Sequence, residues 1–214
     1  MKKYSLILFL FPATFFIQTI NGQEVFKSEI SDSLKTIAII PFSITNDIKG
    51  SNQNTSEIEQ VLKEESFFLQ EYFFALLQQR IQNELLTIKL LDVQKTNMLL
   101  DLAKIHKSGI QKIARQRLAE IVKSDIIVNV SFIKSLRIKA SGNIIQKIEA
   151  KFSIYDKKGS LIWYFSDYES SGEKKSSLQL SKKLLERACR KFPLGKRKGF
   201  LRTGNFKKRE SRTI

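Results

Sequence analysis

One histidine and one cysteine set the limits on catalysis in this chain of 214 residues. A lone His106 removes most zinc sites and most Ser-His or Cys-His schemes. It stands beside Lys107 and Gly109 at an expected helix end, where a cation complements the helix dipole. Cys189 has no second cysteine to pair with, so an intramolecular disulfide and multi-thiolate metal sites are excluded. It falls on the apolar side of the last expected helix, which suits a small buried hydrophobe. Were it exposed instead, Arg187, Arg190 and Lys191 would favour its thiolate. Asp92, Asp101 and Asp125 fall at helix boundaries, where capping explains them. A polymer hydrolase would need two perturbed acids roughly 5–9 Å apart, and no spacing in the chain signals such a pair. Ser170-Ser171-Gly172 is no nucleophile elbow, because no G-x-S-x-G follows a strand. Gly142 and Gly159 are loop glycines, and the dinucleotide and P-loop patterns are absent. No catalytic residue, metal ligand or cofactor is assigned.

Charge is the remaining chemistry. Lys and Arg number 37 against 21 Asp and Glu, a formal net charge of +16. The cations concentrate at the end of the chain. Lys196, Arg197, Lys198, Arg202, Lys207, Lys208, Arg209 and Arg212 stand there against Glu210 alone. Near an anionic surface each such charge contributes about 1 kcal/mol, less with salt. Phe200, Leu201 and Phe206 could add shallow apolar contacts. The plain alternative is a solvated tail that only aids solubility. In the cytoplasm this balance would point to nucleic acid, so the compartment decides the partner.

The compartment is read from the first residues. Met1-Lys2-Lys3 is a short positive region, and Leu6 to Ile20 is almost wholly apolar. That run is too short to span a hydrocarbon core of about 30 Å comfortably. Gly22 suits a cleavage site, so residues 1–22 are expected to be a secretory signal peptide. An uncleaved N-terminal anchor is the alternative. Loss of Lys2 and Lys3 takes +16 to +14. With no cysteine near the cleavage point, lipidation is not expected. The scarcity of cysteine favours a bacterium, which makes Asn54-Thr55-Ser56 a polar loop rather than a glycosylation acceptor. The expected location is periplasmic or secreted, and nucleic acid is not an expected partner.

The elements that would carry these groups follow from periodicity. Residues 23–35 lack it and read as a flexible leader. Thr36 to Phe42 is a continuous apolar run closed by Pro41, a buried strand. Residues 43–56 are turn formers, hence a loop. Ser56 with Glu59 starts a long helix that reaches Ile81, with Val61, Leu62, Phe68, Leu69, Tyr72, Phe73 and Leu77 at helical spacing. Leu85 to Leu91 reads as a strand. Val93 to Ile105 reads as a helix with Met98, Leu99 and Leu102 inward. Ile110 to Lys123 reads as another helix, and Ile126 to Ile133 as a strand. From Ile144 to Ile154 apolar residues alternate with Lys147, Glu149 and Lys151, a strand with one wet face. Asp156 to Gly159 is a hairpin turn, and Leu161 to Tyr168 its partner strand with Trp163 in the core. A final amphipathic helix runs from Leu178 to Phe192, stopped by Pro193. The expected fold is α/β (α+β), a single domain over 36–193. It has a mixed sheet of about five strands in the order β-α-β-α-α-β-β-β-α, with helices packed on it. Residues 194–214 read as a basic disordered tail.

This order, with certain residues, resembles a family of bacterial envelope domains. The family includes the TolB N-terminal domain, the curli-secretion channel lipoprotein and the lipoproteins that activate penicillin-binding proteins. The resembling residues are Ile37-Ala38-Ile39-Ile40-Pro41-Phe42, the strand at Thr87 to Leu91, the passage from Leu118 to Val128, and the hairpin from Ile154 to Trp163. The closing helix that reaches Phe192-Pro193 completes the set. The resemblance implies non-enzymatic binding of a partner protein in the envelope, and it supplies no catalytic residues. It also implies a departure, since the lipid-bearing cysteine of the lipoprotein members is missing. A nucleic-acid-binding protein with a misread N-terminus and a hydrolase of an envelope polymer are the alternatives.

Overall fold

The computed structural model describes residues 23–26, 30, 35–47, 55–105, 107–138, 144–172 and 175–194. The described residues form the expected single domain of mixed α/β type. The sheet has seven strands, two more than expected.

The strands are β1 (Gln23–Phe26), β2 (Thr36–Ile39), β3 (Ser43–Asp47), β4 (Lys89–Leu90), β5 (Ile126–Ile138), β6 (Ile144–Asp156) and β7 (Leu161–Ser171). The helices are α1 (Thr55–Asn83), α2 (Val93–Leu102), α3 (Arg115–Val122) and α4 (Ser177–Lys191), with a 3-10 turn at Lys107–Lys112. Across the sheet the order is β1-β7-β6-β5-β2-β4. β4, β2 and β5 run parallel, whereas β5, β6, β7 and β1 are antiparallel. The parallel part is reached through helical crossovers and the antiparallel part through a hairpin, as chain geometry requires.

The core has two sides. Ile37 and Ile39 of β2 join Val128, Phe132, Phe152, Trp163 and Phe165 in a cluster with α1 and α4. Ala38 and Ile40 face the other way, into a smaller cluster with Leu100 of α2 and Leu118 and Val122 of α3. Burial on both faces is why β2 is a continuous apolar run rather than an alternating one. The larger side is rich in rings. Trp163 stacks on Phe165 with centroids 5.8 Å apart, and Phe73 meets Phe152 at 5.8 Å. Each fully buried ring contributes about 1.5–3 kcal/mol.

Residues 43–47, expected in a loop, form β3 and pair in parallel with β5. β2 and β3 both lie against β5, but between Ile39 and Ser43 the chain advances four positions while β5 advances three, from Val128 to Ser131. The extra residue falls around Pro41, which has no N–H to give the ladder. The freed carbonyls are met from α1. Gln70 Nε2 donates to Ile39 O at 2.7 Å, and Ser66 Oγ donates to Phe42 O at 2.7 Å. Both side chains are buried, so these bonds matter to the fold.

The leader also differs from expectation. Gln23–Phe26 pairs with Trp163 to Ser166 and covers part of an otherwise open edge of β7. Ile30 is fully buried and donates its N–H to Pro193 O at 3.0 Å. The strand expected from Leu85 shrinks to two residues, because α1 closes beyond Asn83 with Leu85 in the left-handed region at φ 52°. The helix expected over 110–123 is split into the 3-10 turn and α3.

Candidate interaction surfaces

The acids weighed as catalysts are placed by the backbone. Asp92 accepts from Lys95 N at 2.9 Å and caps α2. Asp125 Oδ2 accepts from Thr36 N at 3.0 Å, fixing the start of β2 beside β5. Asp156 Oδ1 accepts from Lys158 N and Ser160 N at 2.9 and 2.8 Å, and Gly159 takes the left-handed position of that turn at φ 82°. Asp101 is exposed on α2. Among the described residues no cluster of three His, Cys, Asp or Glu could hold a metal ion. Cys189 is buried, and burial pushes its thiol up despite Arg80 and Arg190 nearby. His106 lies outside the described residues, as do residues 1–22 and the tail cations Lys196, Arg197, Lys198, Arg202, Lys207, Lys208, Arg209 and Arg212.

An open groove of about 680 Å³ runs between the C-terminal halves of α1 and α4, lined by Gln79, Arg80, Glu84, Glu186 and Arg190 among others. Its central cation is already used. Arg80 Nε pairs with Glu84 at 2.7 Å, and Nη1 donates to the carbonyls of Cys189 and Phe192. A group so committed ends a helix rather than binding a ligand.

Two exposed faces remain, and both correct the sequence reading. On α2 the inward positions are Val93, Thr96 and Leu100. Met98 and Leu102, expected inward, are 52% and 73% exposed. They sit four residues apart, on one side of the helix. Phe67 of α1 is also exposed, one turn from Gln70, whose amide meets Asn97 of α2 at 3.2 Å.

On α1 the buried stripe is Ser66, Leu69, Gln70, Phe73 and Leu77. Val61 and Phe68, expected inward, are 61% and 43% exposed and lie seven residues apart on the flank toward α4. Lys182 of α4 crosses this flank, its Nζ 4.7 Å from the Phe68 ring centroid and 5.0 Å from that of Tyr72. Tyr72 Oη donates to Glu186 Oε1 at 2.8 Å. Burial, then this hydrogen bond, raises the Tyr72 pKa. The charge of Lys183 lowers the Lys175 pKa, and the Glu169 carboxylate opposes this. Two further cations of α4, Arg187 and Lys191, are engaged. Arg187 pairs with Asp167 at 2.6 Å and with Glu169, and Lys191 lies 4.8 Å over the Phe165 ring.

The wet face of β6 carries Lys147, Glu149 and Lys151 as expected, joined through Glu149 at 3.9 and 3.3 Å. No helix among the described residues is long and apolar enough to cross a membrane.

No family model and no curated protein matches the chain. Among solved structures it is similar to lipoprotein GNA1162 from Neisseria meningitidis, at 11% identity and a TM-score of 0.45, over 73% of this chain and 96% of that one. It is similar to the PelC dodecamer subunit from Paraburkholderia phytofirmans at 8% identity and a TM-score of 0.43, over 81% and 97%. The C-terminal domain of LpoB from Escherichia coli is similar at 11% identity and a TM-score of 0.32, over 67% and 88%. Sequence identity to each of these structures is low.

Proposed function

We propose that this chain is an exported, non-enzymatic protein of the bacterial envelope that binds a protein partner, with a basic tail that associates with anionic envelope material. The partner would be met on the exposed side of α2. Met98 and Leu102 carry this reading: two large apolar side chains, adjacent on one helix face and left in water. Single exposed apolar residues need no explanation, but neighbours on one face suit an apolar anchor in a partner pocket. The use of Asp92, Asp125 and Asp156 to hold backbone amides supports a binding role over hydrolysis.

A photo-reactive residue at position 98, introduced in living cells, tests the reading. One envelope protein should be captured there, and Leu102→Asp should abolish the adduct while the chain stays folded. No adduct at 98, or the same adducts from Lys112 on the 3-10 turn, would remove the proposed face. Fractionation and N-terminal sequencing test export separately, with Gln23 expected as the first residue outside the cytoplasm.

A further inference from the structure

A cavity of about 260 Å³ opens at the end of the sheet where β2 and β5 begin and β6 turns into β7. Three lysines line it: Lys35, immediately before β2, and Lys157 and Lys158 in the β6–β7 turn. Ile126 and Ile162 supply an apolar wall, the first buried and the second half-buried. Strand register brings these segments together, since Ile126 pairs with Ile37 on one side and with Asp156 on the other. Asp125 and Asp156 also line the cavity, and both are spent on the backbone. Asp125 Oδ2 accepts from Thr36 N at 3.0 Å, and Asp156 Oδ1 accepts from Lys158 N and Ser160 N at 2.9 and 2.8 Å. Among the described residues Lys35, Lys157 and Lys158 form no ion pair. The acids thus hold the rim in shape, while the lysines have no carboxylate of their own.

Cations gathered from two chain segments around one concavity favour an anion with several oxygens. A carboxylate offers two in one plane, whereas a phosphate spreads its oxygens in three dimensions. Lysine meets phosphate as a point charge on a flexible stem, so it does not need the planar match that arginine makes. Size narrows the choice further. The cavity lies just below the range of about 300–1,000 Å³ usual for drug-sized ligands. It is still several times larger than a bare phosphate ion. The remaining space, against Ile126 and Ile162, suits a small carbon substituent on the phosphate. A nucleic acid would instead need an extended track of cations along its backbone.

We infer that this cavity binds a small phosphate ester, with Lys35, Lys157 and Lys158 meeting the phosphoryl oxygens and Ile126 and Ile162 the carbon part. A soluble ester and a phospholipid headgroup offer the same chemistry. The site lies apart from the α2 face and does not depend on what binds there.

The test is titration of the full chain with glycerol 3-phosphate, glycerol and inorganic phosphate at constant ionic strength, followed by amide chemical shifts. Lys35→Gln and Lys157→Gln/Lys158→Gln chains are compared with the unaltered one, and Lys95→Gln on α2 serves as the control for lost charge. Lys157 and Lys158 are exposed, so the double change should leave the fold intact, and circular dichroism checks this. Glycerol 3-phosphate should shift the amides of Lys35, Ile126 and Lys157 to saturation, and glycerol should not. Inorganic phosphate should bind more weakly, because it lacks the carbon part. The double change should weaken binding roughly tenfold or more, since each lysine removes a charge-assisted contact. Lys95→Gln should leave it unchanged. Flotation with vesicles containing phosphatidylglycerol separates the two sources. Weaker flotation of the double variant assigns the site to a lipid headgroup, and equal flotation assigns it to a soluble ester. Shifts confined to other residues, or equal binding by the double variant and the unaltered chain, would overturn the site. Equal affinity for inorganic phosphate and the ester would overturn the role of Ile126 and Ile162.

Discussion

Arg80 and Phe192 are 112 residues apart in sequence, yet the Arg80 guanidinium donates to the Phe192 carbonyl at 2.9 Å. The same Nη1 donates to the carbonyl of Cys189, and Nε holds Glu84. One side chain of α1 thus donates to carbonyls at the end of α4, where the i→i+4 ladder of the helix runs out. Arg80→Ala should lower stability by about 2 kcal/mol, the usual scale for a lost hydrogen bond to a charged group. Arg80→Lys should recover only part, since a point charge cannot span several carbonyls as a planar fork does. Urea unfolding of the three chains measures this, and an unchanged midpoint for Arg80→Ala would refute it.

Three helices end without glycine. Leu85, Lys104 and Lys123 sit at φ 52°, 56° and 53°. In each case the next residue donates back to the start of the last turn: Leu86 N to Ile81 O, Ile105 N to Leu100 O and Ser124 N to Ala119 O. This is the Schellman closure, normally built on glycine because a side chain in the left-handed region costs about 1–2 kcal/mol. Leu85→Gly and Lys123→Gly should each stabilise the fold by about 1 kcal/mol, additively since the sites share no partner. Thermal unfolding of the single and double variants checks this.

Those endings also explain what could be read from sequence. The expected helix over 93–105 and strand over 85–91 ran past their true bounds because no glycine marks the stop. β2 was legible because a buried central strand is apolar on both faces. β3 was not, because Ser43-Ile44-Thr45-Asn46-Asp47 has turn-forming residues and pairs only because β5 extends 13 residues and offers its edge. Gln70 and Ser66 carried no signal, since their burial depends on carbonyls freed around Pro41. The α2 face was misjudged in part: Leu99 packs against the smaller cluster as expected, but Met98 and Leu102 share a helical period with Val93, Thr96 and Leu100, and only packing chooses which set is buried. Asp92 was legible as a helix cap, Asp125 instead holds the Thr36 amide of β2, and the tail cations fall outside the described residues.

The pair of Lys134 and Glu65 joins β5 to α1, with Lys134 Nζ also 3.3 Å from Ser177 Oγ at the start of α4. The side chains are only 9% and 13% exposed. Removing one partner leaves a buried charge alone, so Glu65→Leu or Lys134→Met should each destabilise by about 3–5 kcal/mol. The double change to Glu65→Leu/Lys134→Met should recover most of that loss, because no unpaired charge remains. A double-mutant cycle in urea decides the matter, and additive losses would contradict it.

Glu71 on α1 has its carboxyl raised above the ordinary range, first by burial and then by the charge of Asp92. A carboxyl with a raised folded pKa contributes stability below its unfolded value, about 4.3, that is lost as pH rises through the folded value. At neutral pH the ionised group is therefore a small burden. Glu71→Gln should melt higher than the unaltered chain at pH 7, and the two should converge in acid. Asp92→Asn should reduce the difference, at the cost of a weaker α2 cap. A melting difference that grew in acid would reverse the assignment.

The thiol of Cys189 is held in its neutral form by burial, which outweighs the attraction of Arg80 and Arg190 for the thiolate. Reactivity follows the thiolate and access to it, and both are suppressed here. In the folded chain, a disulfide reagent at neutral pH should therefore label Cys189 far more slowly than an unstructured peptide thiol. In denaturant the rates should become equal. Arg80→Ala frees the end of α4 around the Cys189 carbonyl, so it should speed labelling through local opening even as it removes a charge that favours the thiolate. The two effects have opposite signs, so the direction of the change separates them. Faster labelling identifies access as the limit, and slower labelling would mean that the thiol is already open to solvent.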